Sequence, residues 1–211
     1  MRAGLALVGL ILTLAPAGVL ADCECLWEGS FSEVHAGTDL IISGTVASAK
    51  GNSIDVSIER SLRGDESMPT VRVWLKAHNY CRPEPELFSV GSQWVMALHE
   101  ITTEVPGGFD PTTPNISYGR IGDYQLSNCG GYWLSQSGNV VTGNLINAPR
   151  WVHDPKMTPV LVDVVAQHVT GAIDDAALLQ ASQEDPALRE LMLDTRAFLR
   201  GDDSLKLDET D

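Results

Sequence analysis

Hydrophobic positions follow two different periods along this chain. Between Asp39 and Ile146 they recur at every second residue in short runs. Ile54, Val56 and Ile58 alternate with Asp55, Ser57 and Glu59, and Val71, Val73 and Leu75 repeat the pattern. A period of two puts successive side chains on opposite faces of an extended backbone, so these runs predict half-buried strands. The β-rich run Leu40-Ile41-Ile42-Ser43-Gly44-Thr45-Val46 and the run Trp94-Val95-Met96-Ala97-Leu98 predict further strands. Lys50-Gly51-Asn52, Arg63-Gly64-Asp65 and Gly91-Ser92 supply turn signals between them. Tyr132-Trp133-Leu134 and Val140-Val141-Thr142 flank Ser137-Gly138-Asn139 and read as a hairpin. Several short strands at fairly even spacing point to a small barrel or sandwich.

After Pro149 the period changes. Thr158-Pro159 can open a helix carrying Val160, Leu161, Val164, Val165 and His168, while the β-branched content leaves a strand open there. Asp185-Pro186 is a sharper start, an N-cap followed by proline in the first turn. Behind it Leu188, Leu191, Met192, Phe198 and Leu199 share one helical face, and Gly201 stops the run. A polar segment rich in proline and glycine links Glu100 to Asp123, a length usual for functional or mobile loops. Asn115-Ile116-Ser117 within it is a glycosylation sequon. The expected organisation is a leader over residues 1–21, a barrel over 22–150 and a helical extension with an acidic tail over 151–211.

The chain has 211 residues, 44% of them hydrophobic and 20% charged, the composition of an ordinary globular protein with a real core. Its 28 acidic residues outnumber 14 basic ones, for a net charge of −14. That excess argues against binding nucleic acid, which needs Lys and Arg to neutralise phosphates, and against anionic membrane surfaces. From Asp174 to Asp211 there are 11 acids and four bases, the pattern of a solvated helical face and tail.

Arg2, the apolar stretch from Leu5 to Ala15 and the small residues before Asp22 predict a secretory signal peptide cleaved after Ala21. This eleven-residue stretch falls short of the roughly 20 apolar residues that span a bilayer. Leu20-Ala21-Asp22-Cys23 also resembles a bacterial lipoprotein box, in which Cys23 would carry lipid. The mature chain is therefore expected to be secreted or periplasmic, with no membrane span. In an oxidising compartment Cys23, Cys25, Cys81 and Cys129 are expected to form disulfides. One intervening residue rarely allows relaxed bridge geometry between Cys23 and Cys25, so each should pair with Cys81 or Cys129. Each such loop would stabilise by about 4–5 kcal/mol in the chain-entropy account. The rival arrangement is a zinc set made of Cys23, Cys25, His78 and Cys81, which strands Cys129.

No nucleophile elbow, phosphate loop or dinucleotide fingerprint is present, and His35, His78, His99, His153 and His168 form no HExxH pair. No catalytic residue, cofactor or metal ligand is assigned, and an enzyme is not expected. Trp27, Trp74, Trp94, Trp133 and Trp151 offer stacking faces for sugars, although Trp74 and Trp94 fall within strand patterns.

Cys23-Glu24-Cys25 followed by Thr38-Asp39-Leu40-Ile41-Ile42-Ser43-Gly44-Thr45-Val46 resembles the netrin-like module of the tissue inhibitors of metalloproteinases and of many bacterial secreted proteins. The likeness continues through Ile58-Glu59-Arg60-Ser61-Leu62-Arg63-Gly64, Cys81, Val90-Gly91-Ser92-Gln93-Trp94-Val95-Met96-Ala97 and Asn128-Cys129-Gly130-Gly131. It implies a mainly β fold, a five-stranded OB-type barrel with a short α-helical C-terminal extension, and pairings Cys23–Cys81 and Cys25–Cys129. In those inhibitors the mature chain starts at the first cysteine of the CxC, whose free amine and carbonyl chelate the protease zinc. Here Asp22 precedes Cys23, Glu24 replaces a small side chain, and only four cysteines are present.

The resulting expectation is an exported, disulfide-stapled module that binds a protein, with a metalloprotease as a special case. The expected contact edge is Cys23, Glu24, Cys25, Leu26 and Trp27, together with the loop from Glu100 to Asp123. The alternatives are a glycan-binding barrel and a secreted enzyme whose site assembles across strands around His78.

Overall fold

A computed structural model describes residues 23–77, 79–106, 117–148 and 157–183. The expected leader, His78, the sequon asparagine Asn115, Trp151, His153, the helix expected from Asp185 and the acidic tail lie outside the described residues. Strands β1 (Leu40–Lys50) and β2 (Ser53–Arg63) form an antiparallel hairpin that turns at Gly51, whose φ of +59° suits glycine. β3 (Thr70–Trp74) lies antiparallel to β2. β4 (Gln93–Glu100) returns along the other edge of β1, pairing Leu40 with Leu98 and Thr45 with Gln93. The short β5 (Tyr124–Gln125) lies parallel to β3 and antiparallel to β4 at His99 and Glu100. The order β1-β2-β3-β5-β4 therefore closes back on β1, a five-stranded mixed barrel of the OB type.

Closure requires strongly bent strands. The β1–β2 ladder slips register between Ile41 and Ile42, between Ser43 and Gly44, and between Val46 and Ser48. Such bulges add twist and turn corners in small barrels. At Gly44 the strands approach so closely that a Cβ would stand 2.4 Å from the Ser57 carbonyl oxygen. Any side chain there would push β1 off β2.

The outer part of the sheet continues from β4 into β6 (Trp133–Ser137), β7 (Val140–Gly143) and β8 (Val160–Leu161). The hairpin expected around Gly138 is the β6–β7 pair. At the ambiguous stretch after Pro159 the chain does both things: Val160 and Leu161 pair with β7, and helix α2 (Val162–Val169) follows at once. Two further short helices carry no strong sequence signal. In α1 (Phe31–Val34) the Glu33 carboxylate accepts from the Ser30 amide at 2.7 Å. In α3 (Asp175–Ser182) the Asp174 side chain accepts from the Ala177 amide at 2.9 Å. No helix among the described residues is long and apolar enough to cross a membrane.

The strict period of two fails in one instructive place. Val95, Met96, Ala97 and Leu98 are all fully buried, as are Ile41 and Ile42. One face of this wall meets the barrel interior. Phe31, Val34, Val162, Val165, Val169 and Leu178 from the helices join the same apolar cluster, which accounts for apolar residues on both faces. A continuous apolar run is what a strand covered on both sides requires.

Candidate functional site

The N-terminal segment is fixed to the barrel end by two bridges. Cys23 pairs with Cys81 at a Cα separation of 5.2 Å, and Cys25 pairs with Cys129 at 5.7 Å. No cysteine among the described residues is free. The sulfurs of Cys23, Cys25 and Cys81 lie within 4.8 Å of one another, the closeness a thiolate site would need. Each is held in a bridge, and a bridged sulfur does not supply the thiolate that zinc requires. Backbone bonds continue the staple: the Glu28 amide donates to the Cys129 carbonyl at 2.8 Å, Gly131 to Gly29 at 2.8 Å, and Phe31 to Asn144 at 2.7 Å. On this fixed segment Glu24 is exposed, Trp27 is half-buried and Leu26 is 89% exposed.

Beside the Cys23–Cys81 bridge opens a cleft of about 350 Å³, lined by Glu28, Tyr80, Arg82, His99, Gln125 and Tyr132 among others. Strand β4 contributes His99 and β5 contributes Gln125, and the Cys81 bridge holds the segment that carries Tyr80 and Arg82. Arg82 is only 3% exposed. Its guanidinium donates to the Tyr118 carbonyl and to Gln125 Oε1 at 2.7 Å, and lies 4.7 Å from the centre of the Tyr80 ring. Burial pushes its pKa down to about 10, so it remains a cation at neutral pH. The Tyr132 hydroxyl donates to Glu28, and burial with that contact pushes the phenol upward. The His99 ring lies 5.4 Å from that of Tyr132.

A second cleft, of about 410 Å³, is lined by Asp55, Glu66, Arg72, Arg120, Asp123 and Tyr124 among others. Its two arginines are already paired. Arg72 grips both oxygens of Asp55 at 2.8 and 3.0 Å, and Arg120 reaches Asp123 at 3.2 Å. The Asp55 carboxyl is held below its usual range chiefly by the Arg72 hydrogen bonds. The Tyr124 hydroxyl donates to Glu66 at 2.8 Å. Both cations of this cleft are spent on carboxylates of its own wall, and Glu66 accepts from a tyrosine.

A third cluster joins the helices. His35 and His168 are both buried, with ring centres 5.2 Å apart, and His168 Nε2 lies 2.7 Å from Asp175. Burial first, then the nearby His168 and Arg63, lowers the His35 pKa to about 4. Both Nδ1 atoms lack a hydrogen-bond partner.

Of the tryptophans expected as sugar platforms, the four described ones are buried or half-covered. Trp74 is buried with Nε1 donating to Asp123 at 2.8 Å. Trp94 packs edge-on against Phe88 at 4.9 Å, and Trp133 against the same ring at 6.0 Å. No described tryptophan is fully exposed.

The fold and these bridges define a class: a mainly β protein built on a closed five-stranded barrel, with disulfides at one end and short helices at the C-terminal side. The chain matches no family model, no curated protein and no solved structure. The cysteine edge follows from residues that the sequence singles out. Arg82, His99, Gln125 and Tyr132 do not, because they come from separate strands and loops with no shared spacing. The one local signal is an arginine directly after a bridging cysteine.

Proposed function

We propose that this chain is an exported, disulfide-stapled binding module that acts by contact rather than turnover. Its partner is a protein gripped at Cys23, Glu24, Cys25, Leu26 and Trp27. The observation that supports this best is Leu26, 89% exposed between a bridged cysteine and a residue bonded to the Cys129 carbonyl. A lone exposed leucine is ordinary on a free surface. On a backbone held from both sides it is preorganised, so inserting it into a partner's pocket loses little conformational entropy. A zinc metalloprotease is the partner class that the likeness to tissue inhibitors favours. In that case Asp22 keeps the chain's amine away from the zinc, and Glu24 adds a charge that the protease's own carboxylate repels.

A photo-crosslinking residue placed at Leu26 in the producing cell tests the reading, with the same residue at Leu161, 46% exposed on β8, as control. A discrete adduct from position 26 and none from 161 is the expected result, and mass spectrometry of the adduct names the partner. Identical adducts from both positions, or none from either, would discard the edge as a contact site. Where the partner is a metalloprotease, a chain trimmed to begin at Cys23 inhibits it more strongly than one beginning at Asp22.

A further inference from the structure

Four cations among the described residues sit on a carboxylate, while the buried one, in the cleft beside the Cys23–Cys81 bridge, does not. Arg72 sits on Asp55, Lys76 on Glu84, Arg120 on Asp123 and Arg60 on Asp163. No carboxylate among the described residues pairs with Arg82, although it is the only buried residue there that carries a permanent charge. The Tyr118 carbonyl, the Gln125 amide oxygen and the Tyr80 ring solvate it, and its Nε finds no acceptor. Neutral oxygens and a ring face stabilise a guanidinium without cancelling its charge, and a buried uncompensated charge is costly. The planar fork of arginine is matched by a carboxylate.

The opposite charge lines the same cleft. Glu28 is exposed, accepts from the Tyr132 hydroxyl and forms no ion pair with Arg82 or with another cation among the described residues. Tyr80, Tyr132 and His99 line the same cleft, with Leu126 as an apolar part of its wall. A cation and an anion that share a cleft but do not neutralise each other are complementary to one molecule bearing both charges. At about 350 Å³ the space is at the small end of ligand sites and suits a single residue rather than a peptide.

We propose that this cleft binds a free α-amino acid with an aromatic or large aliphatic side chain. The carboxylate faces Arg82, the ammonium faces Glu28, and the side chain lies against Tyr80 and Tyr132. The site is separate from the protein contact read for Leu26, and each stands or falls on its own test.

Titration calorimetry on the oxidised mature chain with phenylalanine, phenylalanine amide and N-acetylphenylalanine decides it. Phenylalanine should bind, and each capped derivative should bind at least about tenfold more weakly, since each deletes one charge. Arg82→Gln removes the carboxylate partner but risks the fold, because the residue is buried. Glu28→Gln carries the test instead: it should weaken phenylalanine about tenfold and leave N-acetylphenylalanine unchanged, with near-UV circular dichroism reporting the fold. N-acetylphenylalanine binding as tightly as phenylalanine would overturn the zwitterion. No saturable binding of phenylalanine, leucine or tryptophan by about 1 mM would overturn the site.

Discussion

The two flanks of the barrel are attached by opposite physics. The N-terminal segment is held covalently, through Cys23–Cys81 and Cys25–Cys129, and its outward side chains Glu24 and Leu26 contribute nothing to the core. The C-terminal helices are held only by packing and polar contacts: Val162, Val165, Val169 and Leu178 in the apolar cluster, and the buried His35–His168 contact closed by Asp175. The first attachment responds to reductant and is indifferent to moderate pH. The second responds to protons and is indifferent to reductant. A segment that presents a contact surface gains from the first kind, because a fixed backbone loses little on binding. Helices that only cover a barrel wall do not need it.

Opening the covalent side should give the largest effect. Cys25–Cys129 joins residues 104 apart in sequence, and removing that constraint from the unfolded chain costs about 4–5 kcal/mol. Replacing both cysteines by serine should lower the denaturant midpoint accordingly and leave the pH dependence of stability untouched. A loss below about 1 kcal/mol would show that the bridge does not constrain the unfolded chain.

Acid attacks the other flank. The folded-state pKa of His35 is about 4, against 6.5 for an unperturbed histidine. Between those values the unfolded chain binds a proton that the folded chain refuses. The contribution is therefore full above pH 6.5 and is lost as the pH falls toward 4. At one pKa unit per 1.36 kcal/mol the loss approaches about 3 kcal/mol. His35→Phe preserves the stack on Phe31 and removes the titration, so its stability should fall less than the parent's across that interval. Parallel curves for parent and variant would assign the acid sensitivity elsewhere.

The same contrast separates what was legible in the sequence from what was not. The strands at Leu40, Ile54, Val71 and Trp94 announce themselves by alternation and by glycine turns, and the bridging cysteines by their spacing and the expectation of export. β5 does not: two residues, Tyr124 and Gln125, are too few to show a period, yet they close the barrel. α1 and α3 are four and eight residues long, set by caps at Ser30 and Asp174 more than by any apolar stripe. The His35–His168 contact joins residues 133 positions apart on two short helical segments, a pairing that only the folded barrel creates. The Arg82 cleft is hidden for the same reason, since its walls are assembled by strand pairing.

Asp175 sharpens the histidine side of the comparison with a smaller effect. Its carboxylate is 74% exposed and meets the buried His168 at 2.7 Å. Asp175→Asn keeps a hydrogen-bond acceptor and removes the charge, so stability above pH 6.5 should drop by no more than about 1 kcal/mol. The same charge favours protonated His35. Removing it should lower the His35 pKa further and steepen the acid loss, a shift readable from the histidine ring resonances. An upward movement of that pKa would reverse the assigned sign.

The smallest effect should come from the most conspicuous link between the flanks. Arg60 on β2 and Asp163 on α2 form an ion pair that visibly ties the C-terminal helix to the barrel. Their side chains are 49% and 73% exposed, so water already solvates both charges and the Coulomb gain is largely offset by the cost of ordering two side chains. Asp163→Asn should change stability by less than about 0.5 kcal/mol, and added salt should erase what remains. A larger loss would mean that the helix is docked by its surface charge. The apolar residues beneath, Val162, Val165 and Val169, would then be a weaker anchor than their burial implies.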